Sequence, residues 1–223
     1  GRRIYENIRK FILYVLSCNL AEILTIVLAP LLGFGMPLLP TQILWINLVT
    51  DGLPGLALVH EPAEKDLMKR PPRPPGESLF AGGLLARILV TGTVMAAATL
   101  YTQAWAVRSG YDQRSQQTLV FTLLCFVQLG NALSVRSFRR PVFSSMIFGN
   151  RGLWATILLT ISLQLLIVYL PFFQPVFKTA SLDRAGMSTV LVVTAVSLVV
   201  LELVKLLSAG RGPRQAGSYA GSR

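Results

Sequence analysis

Charged residues are scarce in this sequence. Asp, Glu, Lys and Arg together make up 14% of its 223 residues, whereas 52% of the residues are hydrophobic. A water-soluble domain of this length does not need so much apolar sequence and normally carries more charge. The composition therefore excludes an ordinary soluble protein and indicates an integral membrane protein with the lipid bilayer as a partner.

Side chains that bind zinc or form disulfides are rarer still, because the sequence has two cysteines and one histidine. Cys18 and Cys125 both lie in apolar segments, and neither a disulfide framework nor a metal-ligand spacing relates them. His60 stands beside Glu61 without a second His or Cys nearby. The cysteines are therefore predicted to be reduced thiols inside the membrane, and His60 is not expected to bind metal.

A secretory signal is also missing from the start of the chain. Residues 1–10 read Gly-Arg-Arg-Ile-Tyr-Glu-Asn-Ile-Arg-Lys, without an initiating Met and with charges where a signal would be apolar. This opening favours a segment cut from a longer chain.

What the sequence does contain is a series of apolar segments close to the roughly 20 residues that a helix needs to cross a bilayer. The predicted spans are 11–32, 40–58, 84–107, 118–135, 153–170 and 187–207. Gly52, Pro54 and Gly55 in the second span disfavour a continuous helix. The predicted fold is an all-α membrane protein, a bundle of six transmembrane helices with a discontinuous second helix.

The net charge of +11 could suggest nucleic acid. The basic residues, however, form short clusters between the apolar segments, as in cytoplasmic loops, so no nucleic-acid partner is expected. Sixteen of them fall on one predicted side: Arg2, Arg3, Arg9, Lys10, Lys65, Lys69, Arg70, Arg73, Arg136, Arg139, Arg140, Arg151, Lys205, Arg211, Arg214 and Arg223. Four fall on the other: Arg108, Arg114, Lys178 and Arg184. This asymmetry predicts that both termini are cytoplasmic.

Three connecting segments have recognisable compositions. A turn at 33–37 joins the first two spans, and the proline-rich loop at 71–75 is predicted to be a non-helical cytoplasmic strap. Residues 208–223 are rich in Gly, Ser, Arg and Ala, and are predicted to form a disordered cytoplasmic tail.

Two acidic residues lie well inside the predicted spans, Glu22 in the first and Asp51 in the second. A charge at membrane depth costs about 2.5–3.5 kcal/mol even on lenient scales, so an intramembrane carboxylate indicates an ion or proton site. Asn19 precedes Glu22 by three residues, which places both on one helix face. Asn47, Thr50 and Asp51 form a second oxygen-bearing face at positions i, i+3 and i+4.

All five candidate side chains offer oxygen atoms as ligands, and no His or Cys is expected to stand beside them as a further ligand. Oxygen donors suit Ca²⁺, Na⁺, K⁺ or Mn²⁺ better than Zn²⁺ or Cu⁺. Unwinding of the second helix at 52–55 would add backbone carbonyls as ligands. The alternative is hydrogen bonding between helices without an ion, but such bonds average only about 0.6 kcal/mol in membranes.

Other polar residues inside the spans are less informative. Gln128 and Asn131 repeat the three-residue spacing without a charge, which fits either a site or interhelical hydrogen bonding. Glu202, three residues before Lys205, indicates a local ion pair. Gln103 and Gln164 are single amides.

Three motifs, in this order, resemble the C-terminal membrane half of P-type cation ATPases, in the calcium-pump-like branch of sarcoplasmic-reticulum-type pumps and their bacterial relatives. Segment 17–22, Ser-Cys-Asn-Leu-Ala-Glu, is similar to the ligand segment of that family's fifth membrane helix. Segment 42–54, Gln-Ile-Leu-Trp-Ile-Asn-Leu-Val-Thr-Asp-Gly-Leu-Pro, is similar to the sixth. Segment 66–73, Asp-Leu-Met-Lys-Arg-Pro-Pro-Arg, follows at the family's distance. The resemblance covers residues 1–207 and makes the six spans equivalent to the family's fifth to tenth helices.

The resemblance implies that Asn19 and Glu22 are cation ligands, that Asn47 serves a second cation position, and that Thr50 and Asp51 lie centrally. Two-site calcium pumps have a Glu where this chain has Gln128. Because a lost carboxylate weakens divalent binding, a single Ca²⁺ per cycle, or another cation such as Mn²⁺ or Na⁺, is expected. Sodium-potassium pumps also carry Gln at the position of Gln128, but they have Asp at the position of Asn47. The resemblance therefore favours the calcium-pump-like branch.

The family's ATP chemistry proceeds through an aspartyl-phosphate in cytoplasmic domains. The motifs for it, Asp-Lys-Thr-Gly, Thr-Gly-Glu and Gly-Asp-Gly, do not occur in this sequence. ATP and Mg²⁺ are therefore expected to act through N-terminal and cytoplasmic portions of a pump, and the chain alone is expected to be inactive.

The leading hypothesis is thus the transport domain of an ATP-driven calcium pump, in a plasma membrane by resemblance to bacterial pumps. One alternative is a free-standing, pump-derived membrane protein that acts as a non-catalytic binding or partner subunit. Another is an ion-coupled secondary transporter, which predicts inverted repeats that the sequence does not show.

Overall fold

The computed structural model describes residues 2–62, 79–138 and 149–209, and these residues are helical with short connections and no β-strand. The elements are α1 (Arg2–Leu31), α2 (Pro40–Trp45), a π-helix (Ile46–Thr50), α3 (Gly52–Val59), α4 (Leu84–Arg108), α5 (Gln113–Val135), α6 (Arg151–Tyr169), α7 (Gln174–Phe177) and α8 (Arg184–Ala209). The strap at 71–75 and residues 210–223 of the predicted tail lie outside the described residues, whereas residues 208 and 209, the first two of that tail, still belong to α8.

Six helices in the described ranges are long and apolar enough to cross a membrane: α1, the composite Pro40–Val59, α4, α5, α6 and α8. The predicted all-α bundle with a discontinuous second helix is therefore confirmed. α1 begins at Arg2, earlier than the predicted start at residue 11, because a helix can continue through the charged residues that end an apolar segment. α5 likewise begins at Gln113, where the Asp112 side chain accepts a 3.2 Å hydrogen bond from the Arg114 backbone N–H.

The interruption of the second span lies earlier than the sequence indicated. Residues 52–55 were predicted to unwind, but they form the first turn of α3, and the irregular turn is the π-helix Ile46–Thr50. That prediction was wrong because Pro54 occupies the first turn of α3, where a missing N–H is tolerated. Pro54 instead affects the turn before it. The Thr50 carbonyl, four residues upstream, receives no hydrogen bond from residue 54, because proline has no backbone N–H.

The bundle is built around α5. In the apolar 18-residue stretch of α5, 89% of the residues are buried, compared with 22% in the apolar 18-residue stretch of α8. α1, α4, α6 and α8 all pack against α5, which explains why a helix rich in Leu, Val and Phe has almost no exposed face. α1 in turn packs closely along α4 and against α3, so the two segments with intramembrane carboxylates adjoin the central helix.

One end of the bundle is joined by Glu61, just after α3. Its carboxylate forms a buried ion pair with Arg136, with 2.9 Å between oxygen and nitrogen, and accepts a 2.7 Å hydrogen bond from Asn150. Its backbone carbonyl accepts a 2.8 Å hydrogen bond from Asn7. Glu61 therefore connects α1, α5 and the start of α6.

The opposite end is joined by glutamine amides that bind the turn between α1 and α2. Gln103 donates to the Gly35 carbonyl at 2.9 Å, and Gln117 and Gln113 both donate to the Met36 carbonyl at 3.0 Å. These amides satisfy carbonyls that the turn leaves without backbone partners. Gln103, a single amide in the sequence, thus has a structural partner.

A further contact at this end ties the turn before α5 to the start of α8. The Tyr111 hydroxyl donates a 2.7 Å hydrogen bond to Asp183. The bond lowers the pKa of the Asp183 carboxyl, and partial burial together with the carboxylate raises the pKa of Tyr111 to about 12. The pair therefore stays a phenol bonded to a carboxylate throughout the physiological pH range.

The close packing of α1 on α4 gives a testable prediction at Gly92. A Cβ at Gly92 would lie 2.7 Å from Leu20 Cδ2 and 2.9 Å from Leu20 Cβ, whereas a Cβ at Gly130 would lie 3.9 Å from Leu198. Since Leu20 Cβ moves only with its backbone, Gly92→Ala is expected to destabilise the intact protein by about 1–3 kcal/mol. Thermal unfolding in detergent measures this, with Gly130→Ala as the control; equal unfolding temperatures for the two variants would contradict it.

Candidate cation site

Glu22 is a buried carboxylate whose two oxygens are both bound by amides. Asn47 Nδ2 donates to Oε2 at 2.8 Å, and Gln128 Nε2 donates to Oε1 at 2.9 Å. Because an ionised carboxylate only accepts hydrogen bonds, both amides present their NH₂ groups to it. Glu22, from α1, is thus held between the π-helix and α5.

Asp51 has the opposite environment. It is 4% exposed, and neither carboxylate oxygen has a hydrogen-bond partner among the residues that the structure describes. Glu22 is among the groups that interact with it electrostatically. A buried carboxylate without donors is costly unless a proton or cation compensates it, so the geometry around Asp51 favours a positively charged partner.

Thr50 precedes Asp51 and is fixed at both its backbone and its side chain. The Tyr14 hydroxyl donates to the Thr50 carbonyl at 3.0 Å, and Thr50 Oγ1 donates to Cys125 Sγ at 3.4 Å. The carbonyl is free to accept because Pro54, four residues on, has no N–H. A carbonyl expected to be open to a cation is therefore occupied by Tyr14.

Two of the predicted candidates lie at the edge of the cluster. Asn47 is exposed although it binds Glu22, and Asn19 is half-buried, with no side-chain hydrogen bond to the described segments. The structure thus brings Glu22, Asn47 and Gln128 into direct contact, with Asp51 and Thr50 at the adjoining turn. Their role as cation ligands stays a prediction.

Sulfur is present at the site, contrary to the expectation that no Cys stands beside these oxygens. Cys125 Sγ accepts from Thr50, and the Cys18 thiol interacts electrostatically with Asp51 and Glu22. Both thiols are free and buried, as predicted. The contact between α5 and the π-helix joins residues far apart in the sequence, so neither helix by itself indicates it. No three residues of His, Cys, Asp and Glu converge closely enough to hold a metal in the described ranges.

Sequence reasoning also missed Tyr14 and the role of Gln164. Tyr14 lies one turn before Cys18 and two turns before Glu22, so the i, i+4, i+8 spacing on α1 could have identified it. Gln164 Oε1 accepts a 3.1 Å hydrogen bond from Trp45 Nε1 and contacts Cys125 at 3.5 Å, which joins α6 to the site. A single amide in an apolar helix gives no comparable signal.

The other polar residues inside the spans have local explanations. Lys205 Nζ lies 2.7 Å from Glu202 Oε1, which confirms the predicted ion pair. Of the amide pair in α5, Gln128 bonds Glu22, whereas the Nδ2 of buried Asn131 has no hydrogen-bond partner within the described segments.

Six apolar helices enclosing a buried, partly uncompensated pair of carboxylates define an integral, multi-pass membrane protein with a polar interior site. Comparison with known families identifies it further: the chain belongs to the family described as "Cation transporting ATPase, C-terminus", which matches residues 35–207. The resemblance to the C-terminal membrane region of P-type cation ATPases is therefore confirmed.

The curated relatives agree with this assignment. The chain is 37% identical over 221 residues to "Calcium-transporting ATPase 1" of Bacillus cereus, covering 92% of this chain and 25% of that protein. It is 40% identical over 202 residues to "Calcium-transporting ATPase" of Bacillus subtilis, covering 90% and 23%. It is 35% identical over 211 residues to "Calcium-transporting ATPase type 2C member 1" of Homo sapiens, covering 95% and 23%. The chain thus spans about a quarter of the length of these relatives.

The contact between Tyr14 and Thr50 gives a prediction for Tyr14→Phe. This substitution leaves the Thr50 carbonyl buried without its donor, which is expected to cost about 1–3 kcal/mol of stability. Thermal unfolding of the intact protein measures the effect. Tyr101→Phe is the matched control, because Tyr101 is 62% exposed. A loss of stability no larger than that of the control would show that the hydroxyl does not hold the π-helix.

Proposed function

We propose that this chain forms the cation-translocating part of the membrane domain of an ATP-driven calcium pump. The observation that carries the proposal is Asp51, a buried carboxylate without a hydrogen-bond donor among the described residues, which interacts electrostatically with a second buried carboxylate, Glu22. Membership of the cation-transporting ATPase family and the calcium-transporting relatives support it.

The proposed ligands are Asn19, Glu22, Asn47, Thr50 and Asp51, with Gln128 as a further neutral donor. Two carboxylates balance the charge of a divalent cation, and amide and hydroxyl oxygens complete a donor set of the kind that Ca²⁺ prefers. The π-helix supports this assignment, because single π-turns within α-helices are frequent at functional sites. Mn²⁺ or Na⁺ would use the same oxygens.

The cation position is proposed to be incomplete within this chain. Asn47 is exposed and Asn19 is half-buried, so the cluster is open on the side away from α5. The relatives are about four times longer than the matched segment, which leaves further membrane helices to close that side and cytoplasmic domains to bind ATP and Mg²⁺. The 223-residue segment alone should neither hydrolyse ATP nor retain a cation tightly.

The proposed orientation follows from the basic residues, with both termini in the cytoplasm and the Glu61 end of the bundle on the same side. The plasma membrane is the proposed location, by similarity to the bacterial relatives. On this orientation α1 enters the membrane from the cytoplasm, and the glutamine-bound turn at Gly35 faces outward.

Asp51→Asn tests the site. The substitution keeps the shape of the side chain but removes its charge, and ATP-driven ⁴⁵Ca²⁺ uptake by vesicles containing the intact protein is expected to fall at least about tenfold. Asp183→Asn, which alters an exposed carboxylate at the far end of the bundle, serves as the control. Normal uptake by the Asp51 variant would defeat the proposal.

Gln128→Glu tests the number of ions. Gln128 presents a neutral amide to Glu22, so the site carries one charge fewer than it would with Glu. The Glu variant is expected to increase the amount of Ca²⁺ transported per ATP, measured as the ratio of ⁴⁵Ca²⁺ uptake to phosphate release. Gln117→Glu adds the same charge at the outer end of α5 and should leave the ratio unchanged. An unchanged ratio in Gln128→Glu would contradict the missing-carboxylate argument.

A further inference from the structure

A small cavity lies between α1, α4, α5 and α8, towards the Glu61 end of the bundle. Its polar lining includes Arg87, Asn131, Ser134 and Lys205, and no acidic side chain of the described residues lines it. The cavity has a volume of about 40 Å³, about three times the roughly 10–15 Å³ that a single water needs. It therefore has room for a small polyatomic group and presents mainly hydrogen-bond donors to it.

Basic residues from three helices converge at this end of α5. Arg87 of α4 donates to the Phe138 carbonyl at 3.3 Å, and its guanidinium carbon lies 5.5 Å from the centre of the Phe138 ring. Arg9 of α1 lies 5.7 Å from the centre of the same ring. Lys205 of α8 donates to the Ser134 carbonyl at 3.0 Å. These contacts hold the positive charges in fixed positions around the cavity.

Capping of α5 explains part of this arrangement, because cations stabilise the carbonyl end of a helix. It does not explain Asn131, which lines the cavity and is 1% exposed. Its Nδ2 group has no hydrogen-bond partner within the described segments, although the Cys18 thiol interacts with this side chain. A buried donor without an acceptor is costly, so Asn131 indicates that a ligand with acceptor atoms occupies the cavity.

Lys205 has a donor available for the same ligand. An ammonium group has three N–H donors, of which one binds the Ser134 carbonyl and a second binds Glu202 at 2.7 Å. The Glu202 carboxylate also accepts a 2.5 Å hydrogen bond from the Ser134 hydroxyl, and it is not among the groups that line the cavity. Glu202 therefore holds Lys205 from outside the cavity.

We propose that this cavity binds a phosphate group, carried by an anionic phospholipid or present as free phosphate. The oxygens of a phosphate match the donors of Arg87, Asn131 and Lys205, and hydrogen bonds between ionised partners are the strong ones. Basic pockets between transmembrane helices on the cytoplasmic side are typical of lipid headgroup sites, and the proposed orientation places the Glu61 end on that side. The site is separate from the proposed Ca²⁺ ligands and does not rest on Ca²⁺ transport.

Thermal unfolding of the intact protein in a phosphate-free detergent tests the lipid as the source. Phosphatidylglycerol should raise the unfolding temperature, whereas diacylglycerol, which has the chains without the phosphate, should not. Arg87→Gln is expected to raise the phosphatidylglycerol concentration that gives half of this effect about tenfold or more. Arg108→Gln is the matched control, because it removes the same charge from the opposite, exposed end of α4 and should leave that concentration unchanged.

Equilibrium dialysis of the same proteins with ³²P-labelled inorganic phosphate tests the free ion. Binding that Arg87→Gln weakens about tenfold, and that Arg108→Gln preserves, would support the cavity as a phosphate site. It would identify free phosphate as the ligand if phosphatidylglycerol showed no dependence on Arg87. If neither phosphatidylglycerol nor free phosphate depends on Arg87, the proposal is overturned.

A second variant, Asn131→Leu, keeps the test decisive if Arg87→Gln does not fold. It replaces a buried, unpartnered amide by an apolar side chain of similar size, so the unfolding temperature without added phosphate is expected to equal or exceed that of the wild type. Its response to phosphatidylglycerol or phosphate should nevertheless be weaker. A full response of Asn131→Leu to the probe that the wild type binds would place the phosphate outside the cavity and overturn the proposal.

Discussion

Asp51 keeps a carboxylate inside an apolar bundle without a hydrogen-bond donor from the described residues, and the surrounding structure is arranged around that constraint. An unpaired buried charge is costly, so the elements beside it must be fixed by other interactions. Glu22 is held by amides from two other elements, and Tyr14 holds the backbone next to Asp51. Each oxygen of Glu22 therefore has one donor, whereas neither oxygen of Asp51 has a donor among the described residues.

The ends of the bundle provide the rigidity that this centre lacks. Glu61 joins α1, α5 and α6 through an ion pair and two amides, and glutamines bind the turn at the opposite end. Between these ends, α5 is buried on almost every side. The polar groups in the middle can consequently remain unsatisfied without loosening the fold, because the contacts that hold the helices together lie elsewhere.

The number of helices and the two carboxylates could be predicted from the sequence, because apolar length and intramembrane charge are local properties of a segment. The position of the helix break could not. Pro54 and its flanking glycines indicated it, but a proline disturbs the turn before it, and the freed carbonyl found its partner in Tyr14 on another helix. The presence of the Cys125 thiol beside the candidate ligands was missed for the same reason. Cys125 and Thr50 are 75 residues apart in the sequence, and only the packing of the helices brings them together.

The π-helix at Ile46–Thr50 holds one more residue per hydrogen-bonded turn than an α-helix does. In this structure the extra residue lies within Ile46–Thr50. If the position of this extra residue shifted by one residue along the helix, each side chain that the shift crossed would rotate by about 100° about the helix axis, because an α-helix has 3.6 residues per turn. The helix could in this way turn Asp51 from one neighbour to another while Pro40 and Val59 kept their places.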